Sequence, residues 1–201
     1  MKSIYICAKA GAGKTSCAEY LRKKGYIVAN FSYPVYNIGY DYFNMSRSVK
    51  DRKLLQFIGT DAGRYYDKDI WVERFVFDVM VVERTRNLLN MPKAAFVNAD
   101  TRFINEHNTL KKAGWLGIYL DASDEIRIQR LKSRDNIAQI ETLNHISETA
   151  LDEFKHELTW IDANGPLQEM FENLNTAINQ PFVIKQSNDD FNYQNAFKNN
   201  P

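Results

Sequence analysis

The sequence is poor in the residues that cross-link small domains or bind metal ions. Its 201 residues include two cysteines, Cys7 and Cys17, and three histidines, which make no convincing disulfide framework or zinc site. This cysteine usage is typical of a reducing compartment, so we expect a cytoplasmic protein. No run of about 18 apolar residues is present, so we expect no membrane span. The formal net charge is +1, which gives no overall reason to expect nucleic-acid binding, although a local basic groove stays open.

The composition is that of a folded, globular chain. Hydrophobic residues make up 44% and charged residues 25% of the sequence, a balance that excludes wholesale disorder. The length suits one domain, or one domain with an insertion. The first apolar stretch is short and runs directly into a glycine-rich loop, so we expect no signal peptide.

Apolar runs of β-forming residues alternate with longer helical patterns. Helices are predicted over 14–24 and 69–89. Strands separated by helices predict an α/β protein with a parallel sheet and helices on both of its faces. The five predicted strands cover 3–8, 26–31, 94–99, 115–120 and 158–161.

The second and third predicted strands are separated by about sixty mostly helical residues, which is more than a simple crossover needs. We therefore predict a helical insertion, over about residues 34–90, within a single domain that covers 1–185. The remaining residues, 186–201, are polar and rich in asparagine, and we expect them to form a loose tail.

A phosphate-binding loop is predicted between the first strand and the first helix. The segment from Ala8 to Thr15 reads AKAGAGKT and matches G-x-x-x-x-G-K-[ST] except at its first position, where alanine is acceptable if the backbone angles do not require glycine. Backbone N–H groups and Lys14 would hold nucleotide phosphates, and the Thr15 hydroxyl would face Mg²⁺. The predicted nucleotide-binding residues are Ala10, Gly11, Ala12, Gly13, Lys14, Thr15 and Ser16.

A second glycine-containing segment, FIGTDAGR, ends in Arg64. An arginine beside a flexible loop is suited to bidentate capture of a second phosphate. Asp61 lies in the same segment, and we predict that it binds substrate together with Arg64. A polar turn between two helices explains the pattern equally well.

The third predicted strand is followed by Asp100 and Arg102. Ligands of open parallel sheets bind at the carboxyl ends of the strands, so Asp100 is a candidate magnesium ligand or base. Alternatively, Asp100 caps the following helix. Arg102 either binds a phosphate or pairs with Glu106.

Three arginines, Arg127, Arg130 and Arg134, lie at spacings of three and four residues after the fourth strand. This spacing puts them on one helix face. Such a face could stabilise the charge of a transferring phosphoryl group, or it could simply be solvated, which is the interpretation we favour for Arg127.

Four segments resemble the phage-type deoxynucleoside monophosphate kinases, which are relatives of dephospho-CoA kinase and adenylate kinase. Together they run through most of residues 1–180: AGAGKT, LLQFIGTDAGRYYDKDIWVERF, NADTRFINEHNTLKKAGW and HISETALDEFKHELTWIDANGPLQEMF. The resemblance implies a three-layer P-loop kinase fold, with a sheet of about five parallel strands and a helical insertion that binds the acceptor. It also implies Mg-ATP as donor, a deoxynucleoside monophosphate as acceptor, a host-cytoplasmic location if the chain is phage-encoded, and often a homodimer.

The resemblance also implies roles for individual residues. Lys14 and Thr15 would bind the phosphates and Mg²⁺, and Arg64 would meet the acceptor phosphate. The acceptor side would be lined by Asp100, Arg102, Asn105 and Glu106. Arg130 and Arg134 occupy the position of a lid. His145, Ser147 and Glu148 match the last segment, where we favour a role in capping and positioning a helix.

The sequence departs from the family pattern at Ala8 and at Asn98–Ala99, just before Asp100. Related kinases acting on dephospho-CoA or on a modified base within phage DNA are alternatives, as is a sensor that binds ATP without transferring phosphate. The low net charge disfavours a DNA polymer as acceptor. A sensor would not need the second phosphate-binding arginine that Arg64 is predicted to supply.

Overall fold

One sheet of five parallel strands organises the described part of the chain, residues 1–134 and 146–180 of the computed structural model. The strand order is β2-β3-β1-β4-β5. All five strands predicted from the sequence are present. Their bounds are Ile4–Cys7 (β1), Ile27–Val28 (β2), Phe96–Asn98 (β3), Leu116–Asp121 (β4) and Thr159–Asp162 (β5).

The central strand, β1, is buried along its whole length. Ile4 and Ile6 belong to a core cluster on one face of the sheet, and Tyr5 and Cys7 belong to a second cluster on the other face. Side chains alternate between the two faces of a strand, so a parallel strand covered on both faces needs apolar residues at every position. Cys7 and Cys17 are free and buried.

Helices cover both faces and complete the three layers. One core cluster includes Leu21 of the first helix and Leu174 of the last, whereas the other includes Phe75 and Leu110. The helices are α1 (Lys14–Lys23), α2 (Tyr33–Phe43), α3 (Arg52–Gln56), a π-helix (Phe57–Arg64), α4 (Ile70–Leu88), α5 (Ile104–Lys112), α6 (Asp124–Arg134), α7 (Ile146–Thr149) and α8 (Leu167–Asn179), with 3₁₀ turns at Ala150–Glu153 and Lys155–Glu157.

The two helices predicted from apolar periodicity are confirmed as α1 and α4. Helices α2, α3 and α4 and the π-helix all lie between β2 and β3, so the region predicted to be an insertion is helical. The predicted tail, 186–201, lies outside the described residues. Within the described part, no helix combines the length and apolar character that crossing a membrane requires.

Candidate active site

The loop between β1 and α1 has the backbone conformation expected of a phosphate cradle. Gly11 and Gly13 have φ angles of 87° and 108°, in the left-handed region that favours glycine. Ala8 is not among the described non-glycine residues with positive φ, which are Asn44 and Asn90. Alanine therefore fits the first position of the loop without backbone strain.

The start of α1 presents groups suited to an anion. Gly13 is its N-cap, no side chain caps the helix, and its first turn contains no acidic residue. The first backbone N–H groups of a helix have no partner within the helix, and the helix dipole adds positive potential there. The Lys14 ammonium group donates to the carbonyl of Ala8 and, at 3.2 Å, to that of Lys9. The lysine is thus held directly beside the loop.

A network of buried polar groups shapes the carboxyl end of β3. Asn98 is fully buried, and its amide oxygen accepts hydrogen bonds from the N–H groups of Asp100 (3.1 Å) and Thr101 (3.0 Å). Its amide nitrogen donates to the Ala29 carbonyl and to Asp100, both at 3.0 Å. Asn98, which the sequence showed only as a departure from the family pattern, therefore fixes the position of Asp100.

Asp100 connects this strand end to the start of α2. Its carboxylate accepts from the N–H groups of Phe31 (3.0 Å) and Ser32 (2.8 Å). Phe103, not Asp100, is the N-cap of α5. The alternative that Asp100 caps the following helix is therefore wrong, because its carboxylate bonds to the chain just before another helix, α2.

Arg64 lies at the end of the π-helix and faces a buried carboxylate. Its guanidinium group donates to Glu106 and, at 2.5 Å, to the Gly59 carbonyl. It also lies over the Phe103 ring, 4.1 Å from the ring centre. Burial raises the pKa of Glu106, while Arg64 and the backbone N–H groups of Arg102 and Phe103 oppose the rise.

The segment around Arg64 is a π-helix, not the flexible loop or polar turn expected from its glycines. Trp71 contacts the π-helix at two of its glycines. The Trp71 indole donates to the Gly59 carbonyl at 2.7 Å. Gly63 packs on the same indole, where a Cβ atom would approach the ring to 2.5 Å.

A cavity of about 920 Å³ joins the phosphate loop to the helical insertion. Lys14 and Thr15 line one end, and Arg64 and Arg102 line the other, with Asp100 also in its wall. The lining further includes five aromatic side chains and three side-chain amides: Phe31, Tyr33, Tyr36, Tyr40 and Phe103, and Asn30, Asn37 and Gln56. The structure thus brings together five of the residues predicted from the sequence to form a site.

Other predicted residues lie behind this wall or away from it. Asp61 is exposed and does not line the cavity. Asn105 donates to the Lys68 carbonyl and to Asp69, both at 2.8 Å, and so supports the turn before α4. Glu106 is fully buried, does not line the cavity and forms an ion pair with Arg64.

Arg130 does not reach the cavity either. Its guanidinium group donates to the carbonyls of Ala163 (2.8 Å) and Gly165 (3.1 Å) in the loop before α8. Arg134 ends α6, and nothing of its side chain is described, which also applies to Ser147 and Glu148. His145 lies outside the described residues. The catalytic roles of Arg130 and Arg134 stay predictions.

Arg127 corrects an interpretation of the sequence. We expected a solvated side chain, but only 7% of the residue is exposed. Its guanidinium group donates to the Ala10 carbonyl of the phosphate loop at 2.9 Å and to Asp124 at 2.6 Å. The helical spacing correctly predicted the helix, but the burial of Arg127 depends on the phosphate loop, which lies far away in the sequence.

Two further lining residues, Arg52 and Tyr36, were missed. Arg52 is 9% exposed although it is charged. Burial raises the pKa of Tyr36 to about 12; nearby Asp100 adds to the rise, whereas Arg102 and Arg52 oppose it. Both arginines therefore exert an electrostatic effect on the Tyr36 hydroxyl inside the cavity. Tyr36 and Tyr40 lie four residues apart in α2, a helical spacing that indicates one shared face and is a signal in the sequence for this wall.

The chain matches no protein-family model and no curated protein in sequence. Its structure is similar to that of TT1252 from Thermus thermophilus (TM-score 0.56, 18% identity, covering 89% of this chain and 97% of the other). It is also similar to shikimate kinase from Bacteroides thetaiotaomicron (TM-score 0.52, 12% identity, covering 87% and 95%). A third similar structure is a gluconokinase from Sinorhizobium meliloti 1021 (TM-score 0.50, 14% identity, covering 88% and 91%). The chain therefore has the three-layer fold of P-loop kinases, with its cavity at the phosphate loop.

Proposed function

We propose that the protein is a kinase that transfers the γ-phosphate of ATP to a deoxynucleoside 5′-monophosphate. The observation that carries this proposal is a cavity that is lined both by the end of the phosphate loop, at Lys14 and Thr15, and by the helical insertion. Its volume, about 920 Å³, lies in the range of small-molecule sites. A phosphate-transfer enzyme needs two anion sites that meet, because catalysis consists mainly of positioning and charge neutralisation.

The charges that line the cavity favour an acceptor that carries phosphate over a neutral one. The lining includes six cationic side chains and three carboxylates. Glu106 neutralises Arg64 from behind, which still leaves an excess of positive charge. Arginine guanidinium groups are suited to phosphate because their planar fork matches two phosphate oxygens. The second set of cations is also what a nucleotide sensor would lack.

The aromatic lining supports a nucleoside as the remainder of the acceptor. Flat rings provide stacking surfaces for a base, and the amides of Asn37 and Gln56 can read polar groups on its edge. The choice of a deoxynucleotide rests on the resemblance of the four sequence segments, not on any contact in the cavity.

The residues beside the phosphate loop fit a magnesium ion bound with ATP. The Thr15 hydroxyl and the Asp100 carboxylate line the same cavity, and Mg²⁺ prefers such oxygen ligands. Among the described residues, no group of three or more His, Cys, Asp or Glu side chains could hold a metal ion. Mg²⁺ in phosphate-transfer sites commonly uses one or two protein oxygens, with phosphates and water as its other ligands. When bound, the ion would neutralise phosphate charge.

In the proposed reaction the protein binds and orients the two substrates. The loop N–H groups and Lys14 hold the phosphates of ATP, and Arg64 and Arg102 hold the acceptor phosphate. Asp100 lines the same cavity, where it would bind the ion or accept a proton from the acceptor.

An assay of ADP release with a panel of acceptors tests the proposal. The panel contains the four ordinary deoxynucleoside monophosphates, their ribose forms, 5-modified pyrimidine nucleotides, dephospho-CoA, shikimate and gluconate. We expect the highest kcat/KM with a deoxynucleoside monophosphate. Faster turnover of dephospho-CoA, shikimate or gluconate would refute the proposed acceptor, and ATP binding with no transfer to any member would favour a sensor.

A further inference from the structure

The buried arginine of α6, Arg127, contacts the phosphate loop from its outer side. Its side chain donates to the Ala10 carbonyl at 2.9 Å, and its own carbonyl oxygen lies where a Cβ atom on Gly11 would come within 2.6 Å. Its other bond, at 2.6 Å, is to Asp124 one turn earlier in the same helix. The Arg127 guanidinium group therefore connects Asp124 of α6 to the phosphate loop.

Stability alone does not account for an arginine at this position. Its Nε atom is buried and has no hydrogen-bond partner within the described residues. Burying a charged group costs free energy that ion pairing often fails to recover, and an apolar residue is frequently as stable in such a place. The contact of Arg127 with Ala10 therefore points to a role other than stability.

The Ala10 carbonyl and the Gly11 N–H belong to the same peptide unit. In a planar trans peptide these two groups point in opposite directions. Because the carbonyl is held against Arg127, the Gly11 N–H points away from α6. Gly11 has a φ of 87°, and glycine tolerates other orientations of this peptide almost equally well. Gly11 itself therefore does little to fix the orientation of the Ala10–Gly11 peptide.

We propose that Arg127 is a positioning residue that holds the Ala10–Gly11 peptide so that the Gly11 N–H donates to a phosphate of the bound nucleotide. Without Arg127 this peptide can rotate and turn the Ala10 carbonyl toward the phosphates, which it would repel. The inference rests on the nucleotide-binding part of the proposed function and is independent of the identity of the acceptor.

The experiment follows backbone amide signals of the full chain by NMR and measures ADP affinity by calorimetry. In the unaltered protein, ADP is expected to shift the Gly11 and Gly13 amide signals strongly. In Arg127→Met, the Gly11 shift is expected to be lost while that of Gly13 is retained. The ADP dissociation constant should rise about ten-fold, the size expected for one hydrogen bond to a charged group.

Arg86→Met is the matched control. Arg86 also donates to a backbone carbonyl, that of Pro92 at 3.0 Å, but at the far end of α4. Its substitution should leave the ADP dissociation constant and both amide shifts unchanged. If Arg127→Met does not fold, Arg127→Lys replaces it, because lysine keeps the charge but not the planar fork. A smaller but still selective loss of the Gly11 shift is then expected.

The outcomes separate this inference from the proposed function. If the unaltered protein does not bind ADP, both are refuted. If ADP binds but does not move the Gly11 amide, only the role of Arg127 is refuted. If substitution of Arg127 weakens the Gly11 and Gly13 shifts in parallel, Arg127 supports the loop as a whole, and the inference is also wrong.

Discussion

The two ends of the cavity are built from different parts of the chain. At the phosphate loop, the groups suited to bind an anion are mostly backbone N–H groups within one short segment, of which Lys14 and Thr15 line the cavity. At the insertion, they are side chains from separate elements, such as Arg52 of α3, Arg64 of the π-helix and Arg102 after β3. A local backbone cradle depends on glycine and helix geometry, whereas a cavity of side chains depends on how distant elements pack. Substitutions should therefore act on the two ends independently.

The largest effect is expected from Lys14→Ala. Loss of a preorganised charge beside the transferring group should lower kcat by about 100- to 1,000-fold, by analogy with the loss of an oxyanion-stabilising group. Steady-state kinetics measure this, and the melting temperature tests whether the fold is intact. Lys9→Ala is the control, since Lys9 carries the same charge but points to Asp152, 3.8 Å away. Full activity of Lys14→Ala would refute the phosphate-loop interpretation.

Asp100→Asn tests the role of the carboxylate in the cavity wall. Asparagine keeps the shape but has one acceptor oxygen, so it can accept from the N–H group of Phe31 or of Ser32 but not from both. It also loses the charge that would bind Mg²⁺ or accept a proton. We expect kcat to fall about 100-fold and nucleotide affinity to change much less. If only the melting temperature falls, Asp100 serves solely to hold the start of α2.

Arg64→Ala should affect the insertion end alone. A phosphate bound in both ground and transition states contributes mainly to affinity, so the acceptor KM should rise about ten-fold or more while the KM for ATP hardly changes. Arg64→Lys should recover little, because lysine lacks the planar fork. A shift confined to the KM for ATP would assign Arg64 to the phosphate loop instead.

The substitution also leaves Glu106 buried without its ion-pair partner, which typically costs about 3–5 kcal/mol of stability. The double variant Arg64→Ala/Glu106→Gln removes that charge. If its acceptor KM is still raised, the effect belongs to Arg64 and not to partial unfolding.

The smallest effect is expected from Arg130→Ala and Arg134→Ala. The sequence predicts that they stabilise transition-state charge, but Arg130 donates to three backbone carbonyls outside the cavity. We expect only a few-fold loss of kcat, with little change in acceptor KM. Unchanged kinetics in both variants would refute a catalytic role for either arginine.

The sequence predicted the features that depend on neighbouring residues. The five strands follow from apolar runs, and the phosphate loop follows from a segment of eight residues, Ala8–Thr15. Gly114 follows α5 with a φ of 74°, a left-handed conformation that glycine favours just after the end of a helix. In each case the residues that determine the structure lie within one or two turns of one another.

Features that depend on distant residues were missed. The predicted strand over 26–31 contains only Ile27–Val28, because Asn30 and Phe31 leave the sheet to bond with Ala99 and Asp100. The burial of Arg127 depends in the same way on a carbonyl 117 residues away. Local periodicity contains no information about such partners.

The order of the strands has a consequence for how the chain folds. The first strand of the sequence lies at the centre of the sheet, where Ile4 pairs with Val97 on one side and Leu116 on the other. The most buried strand therefore has no neighbours until a hundred or so further residues are available. Such long-range pairing slows folding and leaves apolar strands exposed in the meantime. Until those partners are available, the segment IYIC would be an apolar surface at risk of aggregation and in need of a chaperone.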